Sequence, residues 1–280
     1  MKVTFWGTRG SLASPGTDTA HYGGNTSCVS VHGEEGTLIV LDAGTGIRNL
    51  GQSLPSTLDR VHILLTHLHM DHIQGLPFFA PLRRPGVEIH IWGPASTTLA
   101  LDARLQKYLS PPLFPVSVRE LAANLHFHEL PDDGIEIGEF RVNAQLIIHP
   151  NPTVGYRIQY KDTAVTYLPD HEPALAGRTF PHDKAWTSGY RLAEGTDLLI
   201  HDTQYTDDEY RNRIGFGHSS IHHAFQFAEL TAVKHFAPFH HDPTHNDETL
   251  NQMFSQTIEN LHPAYQVTPS REGLSIDVTH

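Results

Sequence analysis

Thr66-His67-Leu68-His69-Met70-Asp71-His72 follows directly on Val61-His62-Ile63-Leu64-Leu65, a nearly continuous apolar run. Such a run reads as a strand buried on both faces, and the polar residues begin where it ends. In extended chain, residues two apart point the same way, so His67 and His69 converge on one point. The chain must then turn, which lets Asp71 and His72 face a second point nearby. Imidazole and carboxylate are the donor types that suit zinc and related divalent ions. The plain alternative is a chance gathering of polar residues behind a buried strand. It leaves three histidines and an aspartate between positions 67 and 72 without an explanation.

Outward from this stretch the chain alternates short strands and helices. Val3 to Trp6, Ser27 to His32, Thr37 to Leu41, Val61 to Thr66 and Glu88 to Trp92 read as strands in the first half. Phe140 to Ile148, Val154 to Tyr160, Ala164 to Leu168, Asp197 to His201 and Val233 to Phe239 follow in the second. Helices are expected at Ile73 to Leu82 (interrupted by Pro77 and Pro81), and at Ser96 to Tyr108 with Ser96 as N-cap. Two more are expected from Ser219 or Ser220 to about Thr231 and over Asp247 to Leu261. No linker composition or fixed-period repeat divides the chain, so residues 1–280 are read as one α/β domain, sheet packed on sheet with helices outside.

Composition narrows the function. Apolar residues are 39% and aromatics 9% of 280, enough for a sizeable core, and no apolar run reaches the length of a membrane span. The start lacks the pattern of a signal peptide, and a single cysteine, Cys28, excludes an intrachain disulfide framework. A cytoplasmic protein is expected, with Cys28 as packing. Nineteen Lys and Arg against 31 Asp and Glu give a net charge of −12 with no basic run, which disfavours extended nucleic acid and leaves a small anionic substrate. The excess is in histidine, 22 residues spread along the chain, and it asks for a metal site.

The His-rich stretch resembles the metal-binding motif of the metallo-β-lactamase superfamily. Gly7-Thr8-Arg9-Gly10-Ser11, Gly23-Gly24-Asn25-Thr26-Ser27 and Leu41-Asp42-Ala43-Gly44-Thr45-Gly46 are similar to segments of its branch of phosphodiesterases and tRNA 3′-processing nucleases. The resemblance implies a four-layer αββα sandwich with a dinuclear site at one edge of its two sheets. It also implies the later ligands: His149 in Ile147-Ile148-His149-Pro150, Asp170 in Thr166-Tyr167-Leu168-Pro169-Asp170, and His240 in Phe239-His240-His241, with His241 as the competing choice. One metal then falls to His67, His69 and His149, the second to Asp71, His72 and His240, and Asp170 bridges. Asp71 also counts among the catalytic groups. Asp42 is expected to take the second ring N–H of a metal histidine rather than to be a ligand. Zinc is the default ion, with manganese and iron also fitting this donor set. The family analogy further implies a homodimer.

Two such ions can share a hydroxide at neutral pH, because metal binding lowers the pKa of water toward about 7. No serine or cysteine nucleophile is then needed. Gly215-Phe216-Gly217-His218-Ser219-Ser220 is similar to the His-Ser-Thr segment of the nuclease branch, whose histidine is linked to leaving-group protonation. His218 is the candidate proton donor or phosphate contact, with Asp202 as the acid that orients it. Arg9 is open between a substrate contact and a structural ion pair, and His21 between pocket entrance and surface. His126 and His128 share a strand face, and His222 and His223 follow His218 on a helix. The stretch from Glu172 to Gly195, with Trp186 and Tyr190, is a candidate cover for the pocket.

The expected activity is a metal-dependent phosphodiesterase acting on cyclic nucleotides or small phosphodiesters. A ribonuclease of tRNA ends is the alternative within the branch. Against it, only 20 residues lie between His149 and Asp170, where that branch carries a long tRNA-gripping arm. Hydrolysis of a lactam, lactone or thioester uses the same chemistry and stays open. A non-catalytic binding protein is disfavoured because every expected ligand position is filled. Diiron oxygen reduction is disfavoured by His69 standing where a glutamate is required and by the lack of room for a redox partner domain.

Overall fold

The computed structural model describes residues 1–173, 179–181 and 183–279, the Arg119 side chain excepted. The first six strands, β1 (Lys2–Gly7), β2 (Cys28–His32), β3 (Leu38–Leu41), β4 (Arg60–Leu64), β5 (Glu88–Gly93) and β6 (Asn124–Glu129), lie side by side in chain order. The next seven form a second sheet in chain order: β7 (Ile135–Ile137), β8 (Phe140–Leu146), β9 (Val154–Tyr160), β10 (Thr163–Leu168), β11 (Leu198–Asp202), β12 (His235–Phe239) and β13 (Gln266–Val267). β14 (Ser275–Asp277) returns to the first sheet and pairs antiparallel with β1.

Both sheets are mixed. β1 to β3 and β7 to β10 run antiparallel to their neighbours, whereas β3 to β6 and β10 to β13 are parallel. Parallel neighbours require crossovers. These contain α1 (Ile47–Ser53), α2 (Met70–Ile73) and α3 (Leu101–Gln106) on the first sheet. On the second they contain α4 (Tyr190–Ala193), α5 (Asp207–Tyr210), α6 (Ile221–Leu230) and α7 (Asp247–Leu261).

Three apolar layers hold these parts together. Between the sheets, Val3, Phe5, Val31 and Leu41 pack with Phe140, Tyr156, Ile200 and Phe239. The outer face of the first sheet buries Val61, Ile63 and Ile89 against Leu50, Phe79 and Leu105. That of the second buries Leu199 and Phe236 against Phe225, Phe227 and Phe254 from α6 and α7. The result is the expected four-layer αββα sandwich. Val61 and Ile63 serve one layer and Leu64 the other, which is why β4 reads as an apolar run.

Two expected helices are shorter than their spacing implies. Ile73 to Leu82 is not one helix: α2 ends at Ile73, and two 3₁₀ turns follow at Leu76–Phe78 and Ala80–Arg83. Pro77 and Pro81 lack the N–H that a continued α-helix would use, and each stands at the start of a turn. The helix expected from Ser96 begins at Leu101, because the Ser96 hydroxyl bonds Thr98 locally instead of capping. Farther on, Ser220 caps α6 by accepting from the His223 N–H, and Asn246 caps α7.

Phe5 is fully buried between the sheets, 6.1 Å from the Phe239 ring. Phe5→Ala should cost about 3–5 kcal/mol of unfolding free energy in a denaturant titration. A cost below about 1 kcal/mol would mean that the two sheets are not packed as described.

Candidate metal centre

In an open α/β sheet, ligands gather beyond the carboxyl ends of parallel strands, and both sheets obey this at one shared edge. Asp42 follows β3, the His67–His72 stretch follows β4, and Asp170 follows β10, while Asp202 ends β11 and His240 follows β12. Asp42 and His240 both leave their strands in the left-handed region, at φ 58° and 61°. That conformation is uncommon for non-glycine residues and concentrates at functional sites.

The side chains converge from there. Ligand atoms of His67, His69 and His149 lie within 4.8 Å of one another, as do those of Asp71, His72, Asp170 and His240. Asp170 stands between the groups. Its Oδ1 is 3.8 Å from His67 Nε2 and from His149 Nε2, and 3.4 Å from His240 Nε2; its Oδ2 is 3.0 Å from His72 Nε2. Asp71 Oδ2 is 3.2 Å from His72 Nε2 and 3.3 Å from His240 Nε2. His241 goes elsewhere: its Nε2 donates to the Ser270 carbonyl, and the ring packs against Tyr22 and Phe254.

Four of the five imidazoles are tied down at Nδ1, which leaves Nε2 facing the carboxylates. His72 Nδ1 donates to Asp42 at 2.7 Å, His149 Nδ1 to the Gly217 carbonyl at 2.8 Å, His240 Nδ1 to Gln204 at 2.9 Å and His67 Nδ1 to the Thr66 hydroxyl at 3.0 Å. Metal-binding histidines characteristically have the far ring nitrogen held in this way. Asp42 is itself held by the Thr66 N–H and hydroxyl and by the Tyr167 hydroxyl. Gly10 is required beneath His240, because a Cβ there would lie 2.3 Å from its Nδ1.

The electrostatics call for a cation. Among the described residues, the side-chain ion-pair partners of Asp42, Asp71 and Asp170 are all histidines. Burial opposes a proton on His72, but Asp170, Asp71 and Asp42 overcome it and raise its pKa well above the ordinary value. Burial likewise opposes charge on Asp170, and His240, His72 and His67 still hold it well below the usual carboxylate range. Burial drives His67 well down, reinforced by His72, and brings His149 to about 4. Their neutral rings therefore offer lone pairs. His67 Nε2, His72 Nε2 and Asp170 Oδ2 are buried and make no aligned hydrogen bond among the described residues. Buried polar atoms are rarely left so, and this donor set fits divalent ions.

His218 lies beside this cluster. Its Nδ1 is 2.7 Å from Asp202 Oδ2 and 3.9 Å from Asp170 Oδ1, and its ring stacks on His240 with centroids 5.1 Å apart. Burial disfavours its proton, yet Asp202 outweighs that and raises the pKa. Asp202 also accepts from the Gln204 and Ser219 N–H groups, so the dyad is fixed.

Other sequence candidates have structural places. Arg9 is fully buried and donates to the Gly23, Asp242 and His245 carbonyls, which makes it a tie between loops. His21 is exposed and lies edge-on to Tyr22. Cys28 is buried in the outer layer of the first sheet, and His222 pairs with Asp207. His126 and His128 do share a face. They stack with His62, His90 and Trp92 across β4 to β6, so part of the histidine excess lies in this ladder and not at the metal cluster. Of the proposed cover from Glu172 to Gly195, residues 174–178 and 182 lie outside the described residues; Trp186 is exposed and Tyr190 buried. Sequence reasoning missed Thr66, Gln204 and Gly217 as anchors of the imidazoles. Each is an unremarkable residue type whose partner is known only once the chain is folded.

Asp42→Asn should weaken binding of Zn2+ or Co2+ about 10–100-fold, read by competition with a chromogenic chelator. His69→Ala should lose metal in elemental analysis, the ion that His69 shares with His67 and His149. Full metal content in His69→Ala would reject the cluster as a binding site.

The family model described as a β-lactamase superfamily domain matches residues 37–241, well over half of the chain. The chain is 23% identical over 304 residues to ribonuclease Z of Staphylococcus aureus strain Newman, an alignment covering 93% of this chain and 94% of that protein. Among solved structures, the metallo-β-lactamase fold protein YhfI from Bacillus subtilis superposes with a TM-score of 0.70 at 20% identity, over 99% of each chain. A diphosphatase from the PhnP family gives 0.68 at 21% identity, over 98% of this chain and 96% of that one. From the family match, with the fold already in view, the chain belongs to the β-lactamase superfamily and is a hydrolase of the metallo-β-lactamase fold.

Proposed function

We propose that this hydrolase is a dinuclear phosphodiesterase acting on small phosphodiesters, cyclic nucleotides among them. The observation that carries the reading is the His218–Asp202 pair beside a two-lobed cluster of five histidines and two aspartates. His67, His69 and His149 would hold one divalent ion, and Asp71, His72 and His240 the other, with Asp170 between them; zinc is the ion this donor set suits best. Bound ions of this kind supply ionised water at neutral pH and offset charge on the reacting phosphoryl oxygens.

The protein supplies orientation and a proton. Asp202 fixes His218 through Nδ1 and favours its protonated form, which leaves the Nε2 proton for the departing alkoxide. Asp42 and Gln204 keep His72 and His240 from turning away. Small substrates are favoured over long RNA by the acidic charge of −12. They are favoured also by the direct succession of β9 and β10 between His149 and Asp170, where a gripping arm would stand. The similarity to ribonuclease Z across 93% of the chain favours RNA, and the same assay decides between them.

Purified protein should carry two divalent ions per chain. It should cleave bis(p-nitrophenyl) phosphate and cyclic nucleotides faster than a chromogenic lactam or a tRNA precursor with a 3′ trailer. Preference for either of the last two would overturn the substrate assignment. His218→Ala should slow diesters with alkoxide leaving groups at least tenfold more than activated aryl diesters; equal losses would remove His218 from proton donation.

A further inference from the structure

Glu172 is a buried carboxylate that the chemistry above does not use. It is fully shielded from solvent, two residues beyond Asp170, and it accepts four hydrogen bonds. Oε1 accepts from the Tyr210 hydroxyl at 2.7 Å and the Gly215 N–H at 2.9 Å; Oε2 accepts from the Gly217 N–H at 2.9 Å and the Gly215 N–H at 3.0 Å. Gly215 and Gly217 have φ of +87° and +86°. Left-handed turns of this sort direct successive N–H groups into an anion-binding concavity. Phe216 between them is exposed, so the loop has little apolar packing of its own at that point.

The loop touches the metal cluster through one residue. The Gly217 carbonyl accepts the Nδ1 proton of His149, while the Gly217 N–H is held by Glu172. A Cβ on Gly217 would lie 2.4 Å from His149 Nδ1, so the backbone approaches the imidazole as closely as a side-chain-free residue allows. The next residue is His218. The Glu172 N–H also bonds the Ile148 carbonyl, and the Ser219 hydroxyl bonds the His171 carbonyl. Two segments far apart in sequence are thus zipped together, with the carboxylate at the centre.

We propose that Glu172 is a positioning residue, which acts through the Gly217 peptide to set the His149 ring for its ion and to place His218 beside the cluster. The proposal rests on the reading that His149 holds an ion. A glutamine at 172 keeps the shape but offers one oxygen and an NH2 group and removes the charge, so the two glycine N–H groups and the Tyr210 hydroxyl no longer all find a carboxylate oxygen, and the bonds that remain are weaker.

The test is titration of the metal-free full chain with Co2+, followed by its visible absorption, for wild type, Glu172→Gln, Glu172→Asp and His149→Ala. Leu250→Ala, a core truncation on the buried face of α7, is the stability control. Wild type should bind two ions. His149→Ala should lose one, which identifies it. Glu172→Gln should weaken that same ion about 10–100-fold and leave the other within threefold. Glu172→Asp keeps the charge with a shorter reach, and should fall between wild type and Glu172→Gln. Leu250→Ala should melt lower yet bind both ions as wild type does. If Glu172→Gln does not fold, Glu172→Asp alone decides by weakening or sparing the His149 ion. On a diester with an alkoxide leaving group, Glu172→Gln should lower kcat at least tenfold with KM within threefold. The proposal is overturned if both Glu172 variants bind both ions as tightly as wild type, or no more weakly than Leu250→Ala does. A wild-type chain that binds two ions but cleaves no phosphodiester would instead defeat the substrate assignment and leave the positioning role standing.

Discussion

The structure depends on a constraint at the shared edge of its sheets: imidazoles must present one nitrogen each to a pair of buried carboxylates. Left free, a histidine ring turns about its side-chain bonds and finds other partners. Here Asp42, Thr66, Gln204 and the Gly217 carbonyl each grip one Nδ1. The rest of the molecule serves to bring those four acceptors into place. Asp42 and Thr66 come from the first sheet, Gln204 and Gly217 from crossover loops of the second. The cluster therefore exists only while the two sheets are packed face to face. The cost of burying Asp71 and Asp170 is offset locally by protonated imidazole, and a divalent cation does the same more completely.

What the sequence reveals and conceals about this arrangement follows from range. His67, His69, Asp71 and His72 are legible because six consecutive positions carry the pattern, and the strand before them is an apolar run that can be read locally. His149, Asp170 and His240 become legible only by resemblance, since nothing within a few residues of them distinguishes a ligand from an ordinary strand-end residue. The choice of His240 over His241 turns on backbone conformation. The left-handed turn at 240 sends neighbouring rings to different partners, Asp71 and Asp170 for one and Ser270 for the other.

Other features stayed hidden for reasons equally physical. Arg9 sits in a glycine-rich turn that invites a substrate contact, but beside the nearby Gly23 carbonyl its partners are carbonyls more than two hundred residues later, at Asp242 and His245. Gln204 and Glu172 occupy loops whose partners are backbone groups or distant rings. Proline decided one local error, and the Ser96 hydroxyl, bonded to Thr98, the other. The apolar spacing after Met70 favours a helix, but Pro77 and Pro81 each remove a donor and break it into short turns. Five strands of the second sheet, β8 to β12, fall where expected to within about two residues, whereas the short β7 and β13 carry too few residues to be read as runs.

The pairing of β14 with β1 has a bearing on how the molecule is made. Lys2 to Thr4 find their outer partners at Ser275 to Asp277, with the Val278 N–H on the Met1 carbonyl beyond them. During synthesis β1 therefore has one flank of its backbone unsatisfied until β14, far later in the sequence, has emerged. Such an open border can recruit a neighbouring nascent chain. For that interval the apolar side chains of Val3 and Phe5 sit on a strand whose border is open, and closure of the first sheet by β14 removes that exposure.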